Sequence, residues 1–282
     1  MSQELQIGGV DVHVEGDGLE TIVMIHGWPD TYRLWDSQVS ALKSRYRCVR
    51  FTLPGFDHTK PRRAWSLAET MQLFKAIVEQ VAAGRKVTLM LHDWGCFFGY
   101  AFYMRNPALV SRIIGIDIGD VISSEFPASL SLKAKLMIFG YQSWLALAWK
   151  VGGAIGDGMT RFMARALKCK SDPRYINSGM NYPYYIQWTG AYGSYKSAVS
   201  LAVDCPMLFI YATKKPFMFH SPTWLQQLSA KPGCRVLAMN AGHWVMVDQA
   251  QEFNQAVQAW LGELERSGQG GKPEVPGVDD VG

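Results

Sequence analysis

The chain alternates between short, wholly apolar runs and longer stretches in which apolar residues recur at helical spacing. Strand-like runs stand at 10–14, 21–25, 48–53, 87–91, 113–116, 207–211 and 235–239. Apolar runs of this length, separated by helical patterns, predict an α/β fold with a mostly parallel sheet and helices on both faces. Ser66-Leu67-Ala68-Glu69 has the spacing of a capping box and predicts a helix running to residue 81, before Gly84. Further helices are predicted over 96–106, stopped by Pro107, and over 245–261. Between 121 and 201 the strand rhythm stops, and aromatic, Met-rich, Gly-broken helical segments replace it. Residues 1–120 and 202–265 are therefore expected to form the two parts of one α/β core, with 121–201 inserted as a helical lid. Residues 266–282, rich in Gly, Pro and acids, read as a disordered tail.

Composition narrows the function classes. A chain of 282 residues that is 48% hydrophobic can bury one large core. A net charge of +4, spread without a dense Lys/Arg run, predicts no nucleic-acid partner. No zinc-type Cys/His spacing occurs, and no cofactor or metal is expected. The five cysteines, odd in number and scattered, suit reduced thiols in a cytoplasmic protein. Residues 1–18 are polar and Gly-rich without the apolar core of a secretory signal. The most apolar stretch, 136–149, carries Gln142 and is closed by Lys150, short of the ~20 apolar residues that span a bilayer. It reads as a lid helix, whose lysines and tryptophans would also suit contact with a membrane surface. The expected partner is a small hydrophobic substrate, and the expected state a monomer or homodimer.

The run 87–91 ends in Leu91-His92-Asp93-Trp94-Gly95, with a helical pattern directly behind it. A carboxylate at a strand-to-helix turn selects a chemistry. Ser attacking a saturated carbon would leave a stable ether, whereas Asp forms an alkyl ester whose carbonyl carbon water can attack. Gly95 fits the elbow that presents a nucleophile in this way, but Leu91 does not, because the pattern wants small residues two before and two after. An Asp that only caps the following helix is the bland alternative. The run 21–25 leads into His26-Gly27-Trp28-Pro29-Asp30, a loop able to present backbone N–H groups. The N–H groups of Trp28 and Trp94 are the candidate oxyanion donors. Ala241-Gly242-His243-Trp244 follows the run 235–239, on the side of the sheet where ligands bind in open α/β folds. His243 is the candidate base for activating water.

With these three segments in place, the chain resembles the α/β-hydrolase superfamily over residues 10–265, and within it the epoxide hydrolases and haloalkane dehalogenases, which share an Asp nucleophile. His26-Gly27-Trp28-Pro29-Asp30 is similar to an epoxide hydrolase oxyanion loop. His92-Asp93-Trp94-Gly95 is common to both families, and Leu91 is closer to the dehalogenase pattern. The resemblance implies an acid behind His243, usually in the loop after the run 207–211. That loop reads Ala212-Thr213-Lys214-Lys215-Pro216-Phe217, with Lys215 where many relatives carry Asp. A cation near His243 would oppose imidazolium formation. Asp117, closing the run 113–116, is the candidate acid ahead of Asp120. In epoxide hydrolases lid tyrosines protonate the epoxide oxygen, which points to Tyr182, Tyr184 or Tyr185. A dehalogenase would instead hold halide between N–H donors, with the Trp94 indole as one and Trp144, Trp149 or Trp188 as the other. The expected activity is hydrolysis of a hydrophobic epoxide through an Asp93 ester. The alternatives are a haloalkane dehalogenase and, because of Lys215, a non-catalytic pseudo-hydrolase that binds a lipophilic ligand.

Overall fold

The computed structural model describes residues 2–269. The chain starts with a hairpin, β1 (Ser2–Ile7) and β2 (Val10–Glu15), followed by β3 (Thr21–Ile25), α1 (Asp36–Leu42), β4 (Arg47–Phe51) and α2 (Leu67–Val81). Next come β5 (Val87–His92), α3 (Trp94–Arg105) and β6 (Val110–Ile116). Four helices then intervene, α4 (Glu125–Ser129), α5 (Leu132–Val151), α6 (Gly153–Ala166) and α7 (Tyr182–Thr189), before β7 (Met207–Ala212). The chain closes with α8 (Pro222–Ser229), β8 (Arg235–Met239), α9 (Val245–Asp248) and α10 (Ala250–Gln269).

The eight strands form one sheet in the order β1-β2-β4-β3-β5-β6-β7-β8. Only the β1–β2 and β2–β4 pairings are antiparallel. Central strands β3 and β5 are buried along their whole length, because helices cover both faces. One apolar layer lies beneath α2 and α3, and the other beneath α1 and α10. The capping box at α2 forms as the spacing predicts: Ser66 Oγ accepts from the Glu69 N–H, and the Glu69 carboxylate accepts from the Ser66 N–H.

The structure departs from the pattern in two places. β1 is a strand that the sequence did not announce, since only Ile7 of its residues is buried and an exposed edge needs no apolar alternation. The helix expected over 245–261 is interrupted at Gln249 (φ −128°, ψ 46°) and restarts at Ala250, running on to Gln269. Residues 270–282 of the expected tail lie outside the described residues. Among the described residues, no helix is long and apolar enough to cross a membrane.

Candidate active site

Three loops at the C-terminal ends of the parallel strands converge on Asp93. This residue turns the chain from β5 into α3 with φ 52° and ψ −123°, left-handed backbone that a non-glycine residue keeps only where its surroundings enforce it. The turn aims the carboxylate at the loop after β3, where the Trp28 N–H donates to Asp93 Oδ1 at 2.6 Å. The Trp94 N–H acts on the same carboxylate and helps to hold it ionised. Gly27 is what permits the approach, because a Cβ there would stand 2.3 Å from Asp93 Oδ1. His26 fixes the loop from below. Its Nε2 accepts the Leu53 N–H and its Nδ1 meets the Gly27 carbonyl, both at 2.8 Å, and burial lowers its pKa to about 4, so the ring is neutral.

Leu91, the misfit in the elbow pattern, has a steric explanation. Its side chain lies against Gly99 of α3, where a Cβ would come within 2.4 Å of Leu91 Cδ2. The room that the turn needs has moved from the strand to the helix.

His243, in the loop after β8, places Nε2 3.4 Å from Asp93 Oδ2 and hydrogen-bonds through Nδ1 to Asp117 Oδ2. Asp117 sits at the end of β6, fully buried. Its other oxygen accepts the Ala212 N–H at 2.9 Å and Lys215 Nζ at 2.5 Å. Lys215 thus meets Asp117 on the oxygen that His243 leaves free, and the concern that this cation bears on the imidazole itself gives way to a chain Lys215–Asp117–His243–Asp93. Asp120 takes no part. It accepts the Ser221 N–H and hydroxyl and the Ser123 hydroxyl, each at 2.7 Å, and fixes the local loops.

Burial alone would raise the Asp117 carboxyl, but Lys215 and His243 outweigh it and hold the group well below the usual carboxylate range. Burial opposes ionisation of Asp93 as well, and His243 overcomes it to lower the pKa. For His243 burial pulls downward, yet the hydrogen bonds to Asp117 and Asp93 win and lift it to about 9. The resting arrangement is an imidazolium between two carboxylates, with a second cation behind. Lys215→Met strips Asp117 of its partial neutralisation, so the His243 pKa rises and the apparent pKa governing turnover shifts upward. Removing one partner of this buried pair also costs about 3–5 kcal/mol of stability. A pH–rate profile checks the first effect and denaturant unfolding the second; an unchanged or downward-shifted apparent pKa would contradict it.

Of the tyrosine cluster, only Tyr184 reaches the site. Its ring stands edge-on to Trp28 and Trp94, with centroids 6.0 and 5.2 Å apart. Tyr182 packs against Phe56 and Trp149, and Tyr185 against Trp149, so neither lines the space around Asp93. The second phenol is one that sequence reasoning missed, Tyr141 of α5, edge-on to Tyr184 at 6.1 Å. The available signal was Tyr141-Gln142, a polar pair inside the most apolar stretch, joined by a 3.1 Å hydrogen bond. Burial raises both phenols, so both keep their protons at neutral pH. Tyr141, Tyr184 and Asp93 border two cavities, one of 660 Å³ that also meets His243 and one of 250 Å³ lined by Trp94, Phe97, Ile118 and Phe126.

Of the candidate halide donors, Trp94 lines the 250 Å³ cavity with Asp93. Trp28 Nε1 donates to Asn181 Oδ1 at 2.7 Å and Trp144 Nε1 to the Met159 carbonyl at 3.0 Å. Trp144, Trp149 and Trp188 line neither cavity. Asp30, buried beside the site, accepts Trp244 Nε1 at 2.9 Å on one oxygen and the Ser171 hydroxyl on the other. Burial raises its pKa to about 6 against the pull of these two donors.

An acid on a strand-to-helix elbow, two backbone donors on its carboxylate and a His–Asp pair beside it can support attack on an electrophile and hydrolysis of the resulting ester. The family model of the Alpha/beta hydrolase family matches residues 22–256, and the chain belongs to that family. It is 19% identical to epoxide hydrolase 1 of Caenorhabditis elegans over 279 residues, covering 90% of this chain and 68% of that protein. It is 35% identical over 109 residues to EphD of Mycobacterium tuberculosis, named as a probable oxidoreductase, a match covering 37% of this chain and only 18% of that protein. Among solved structures, an epoxide hydrolase of Bacillus megaterium shares the fold with a TM-score of 0.69 at 19% identity, over 92% of this chain and all (100%) of that one. An epoxide hydrolase of Vigna radiata does so with a TM-score of 0.67 at 17% identity, over 93% and 98%.

Proposed function

We propose that the protein hydrolyses an apolar epoxide to a vicinal diol through an ester on Asp93. The observation that carries this reading is a pair of phenols, buried Tyr184 and half-buried Tyr141, bordering the same space as a carboxylate backed by an imidazole. Asp93 Oδ2 attacks an epoxide carbon; the ring C–O bond breaks, and its oxygen takes a proton from one of the phenols. Alkylation removes one of the two negative charges that raise the His243 pKa, and the imidazolium then passes its Nε2 proton through water to the phenolate, so the imidazole becomes a competent base only once there is an ester to hydrolyse. Water adds to Asp93 Cγ and gives its proton to His243 Nε2. The oxyanion forms on Oδ1, which accepts the Trp28 N–H, and the Trp94 N–H acting on the same carboxylate supports it as a second donor. Collapse breaks the bond between Cγ and the alkyl oxygen, and the departing oxygen takes the carboxyl proton. The proton taken from water leaves His243 as the resting imidazolium, and the cycle closes.

The resemblance to epoxide hydrolases supports the same reading, and the placement of Trp144, Trp149 and Trp188 outside both cavities, which leaves the Trp94 indole without any of the expected second donors, weighs against halide capture. Incubation with aryl epoxides and bromoalkanes tests it. Diol is expected without bromide release. Tyr184→Phe and Tyr141→Phe should each lower kcat/KM by about 10²-fold. Bromide release, or diol formation indifferent to loss of both phenols, would sink the proposal.

A further inference from the structure

We propose that the helical insertion docks on an anionic lipid surface through the outer face of α5 and α6. Leu132, Leu136, Phe139, Leu147 and Val151 follow one another along one side of α5 at near-helical spacing, and all are exposed, Leu132 to 73% and Leu136 to 61%. On α6, which packs against α5, Ile155 (71% exposed) and Phe162 are exposed as well. Trp144 joins the two helices, packing on Phe162 at 5.8 Å and donating to the Met159 carbonyl. A contiguous apolar surface of this kind is uncommon on a soluble protein without a partner.

Charge selects the partner. Across residues 131–168 stand Lys133, Lys135, Lys150, Arg161, Arg165 and Lys168 against a single acid, Asp157, and that acid is occupied by the Ser178 N–H at 2.7 Å. The whole chain, by contrast, carries 28 Lys and Arg against 24 Asp and Glu. An isologous contact with a second copy would bring two such cationic rims together, at a cost in repulsion. An anionic bilayer surface satisfies both properties at once: the apolar side chains enter the headgroup boundary while the lysines meet lipid phosphates. Since no described helix is long and apolar enough to cross, the helices lie in the plane of the surface.

The position of the cavity fits this orientation. Met137 and Leu167, exposed on the insertion, also line the 660 Å³ cavity that holds Asp93 and His243. The cavity therefore borders the docking face, and an apolar ligand dissolved in lipid would pass into it without first entering bulk water. Docking itself does not depend on which reaction the site performs.

Flotation of the full chain with phosphatidylcholine vesicles, with and without phosphatidylglycerol, is the test. The protein is expected to float with the anionic vesicles, far less with phosphatidylcholine alone, and to be partly released by salt. Replacing Leu136, Phe139, Leu147 and Ile155 together with Ser should lower partitioning at least about tenfold, with the circular dichroism spectrum and Tm unchanged. Lys133→Gln, Lys135→Gln and Lys150→Gln together should remove the preference for phosphatidylglycerol. The proposal is overturned if the wild-type chain stays in the soluble fraction, if the four-serine variant floats as well as the wild type, or if light scattering shows a dimer that the serines dissociate. Loss of the epoxide reading would leave the flotation result untouched, so the two can fail separately.

Discussion

Asp93→Ala abolishes both turnover and covalent labelling by epoxides, with kcat/KM falling by at least about 10⁴-fold. The size of the effect follows from what remains. The two backbone donors, the His243–Asp117 pair and the phenols are all still present, yet no group can form the ester, and water activated by His243 would have to attack a strained ether without covalent help. The variant should stay folded, although its pH dependence of stability changes. His243 titrates near 9 in the folded chain against 6.5 for the free ring. A raised imidazole contributes stability that is fully present below pH 6.5 and lost as the pH rises through 9. Without Asp93 the folded-state pKa moves down, so the contribution is smaller and is exhausted at a lower pH. Steady-state assay and thermal melts at several pH values check both statements; appreciable turnover by the alanine variant would exclude the ester mechanism.

His243→Gln separates the two chemical steps. Alkylation needs only Asp93 and a proton donor, so it persists, while hydrolysis of the ester loses its base and slows by about 10²–10⁴-fold. Intact mass after exposure to an aryl epoxide should rise by the mass of the whole epoxide, and peptide mapping should place the addition on Asp93. A gain of an alkyl group from a bromoalkane, with bromide released, would move the assignment to dehalogenation. No adduct from either series, with an inert wild type, would leave a binding role.

The sequence disclosed the strands and the elbow because these depend on local pattern: an apolar run buried on both faces, then an acid followed by Trp-Gly. Residues whose roles arise across the chain were less visible. Asp117 could be nominated by its place at the end of a run, but the partition of its two oxygens between His243 and Lys215 depends on segments 98 and 126 residues apart in sequence. The tyrosine cluster drew attention by its density, and two of its three members turned out to be packing. Tyr141 sits in a helix with exposed apolar residues on one side and the site on the other, where only three-dimensional placement distinguishes a phenol that lines a cavity from one that fills the core. Leu91 counted against the elbow for a similar reason. The steric requirement belongs to a contact between β5 and α3, and Gly99 meets it eight positions away.

Asp30 joins parts of the chain that folding must bring together from far apart. Its carboxylate reaches Ser171, 141 residues on, and Trp244, 214 residues on, while its own backbone continues the loop of Trp28. Detaching the segment after α6 therefore strips a buried carboxylate of a hydrogen bond and loosens the indole next to His243 in the same event. The loop of Trp28, the loop of His243 and the segment after α6 are therefore expected to open together, and hydrogen exchange at the Trp28 amide should rise when Ser171 is replaced by Ala.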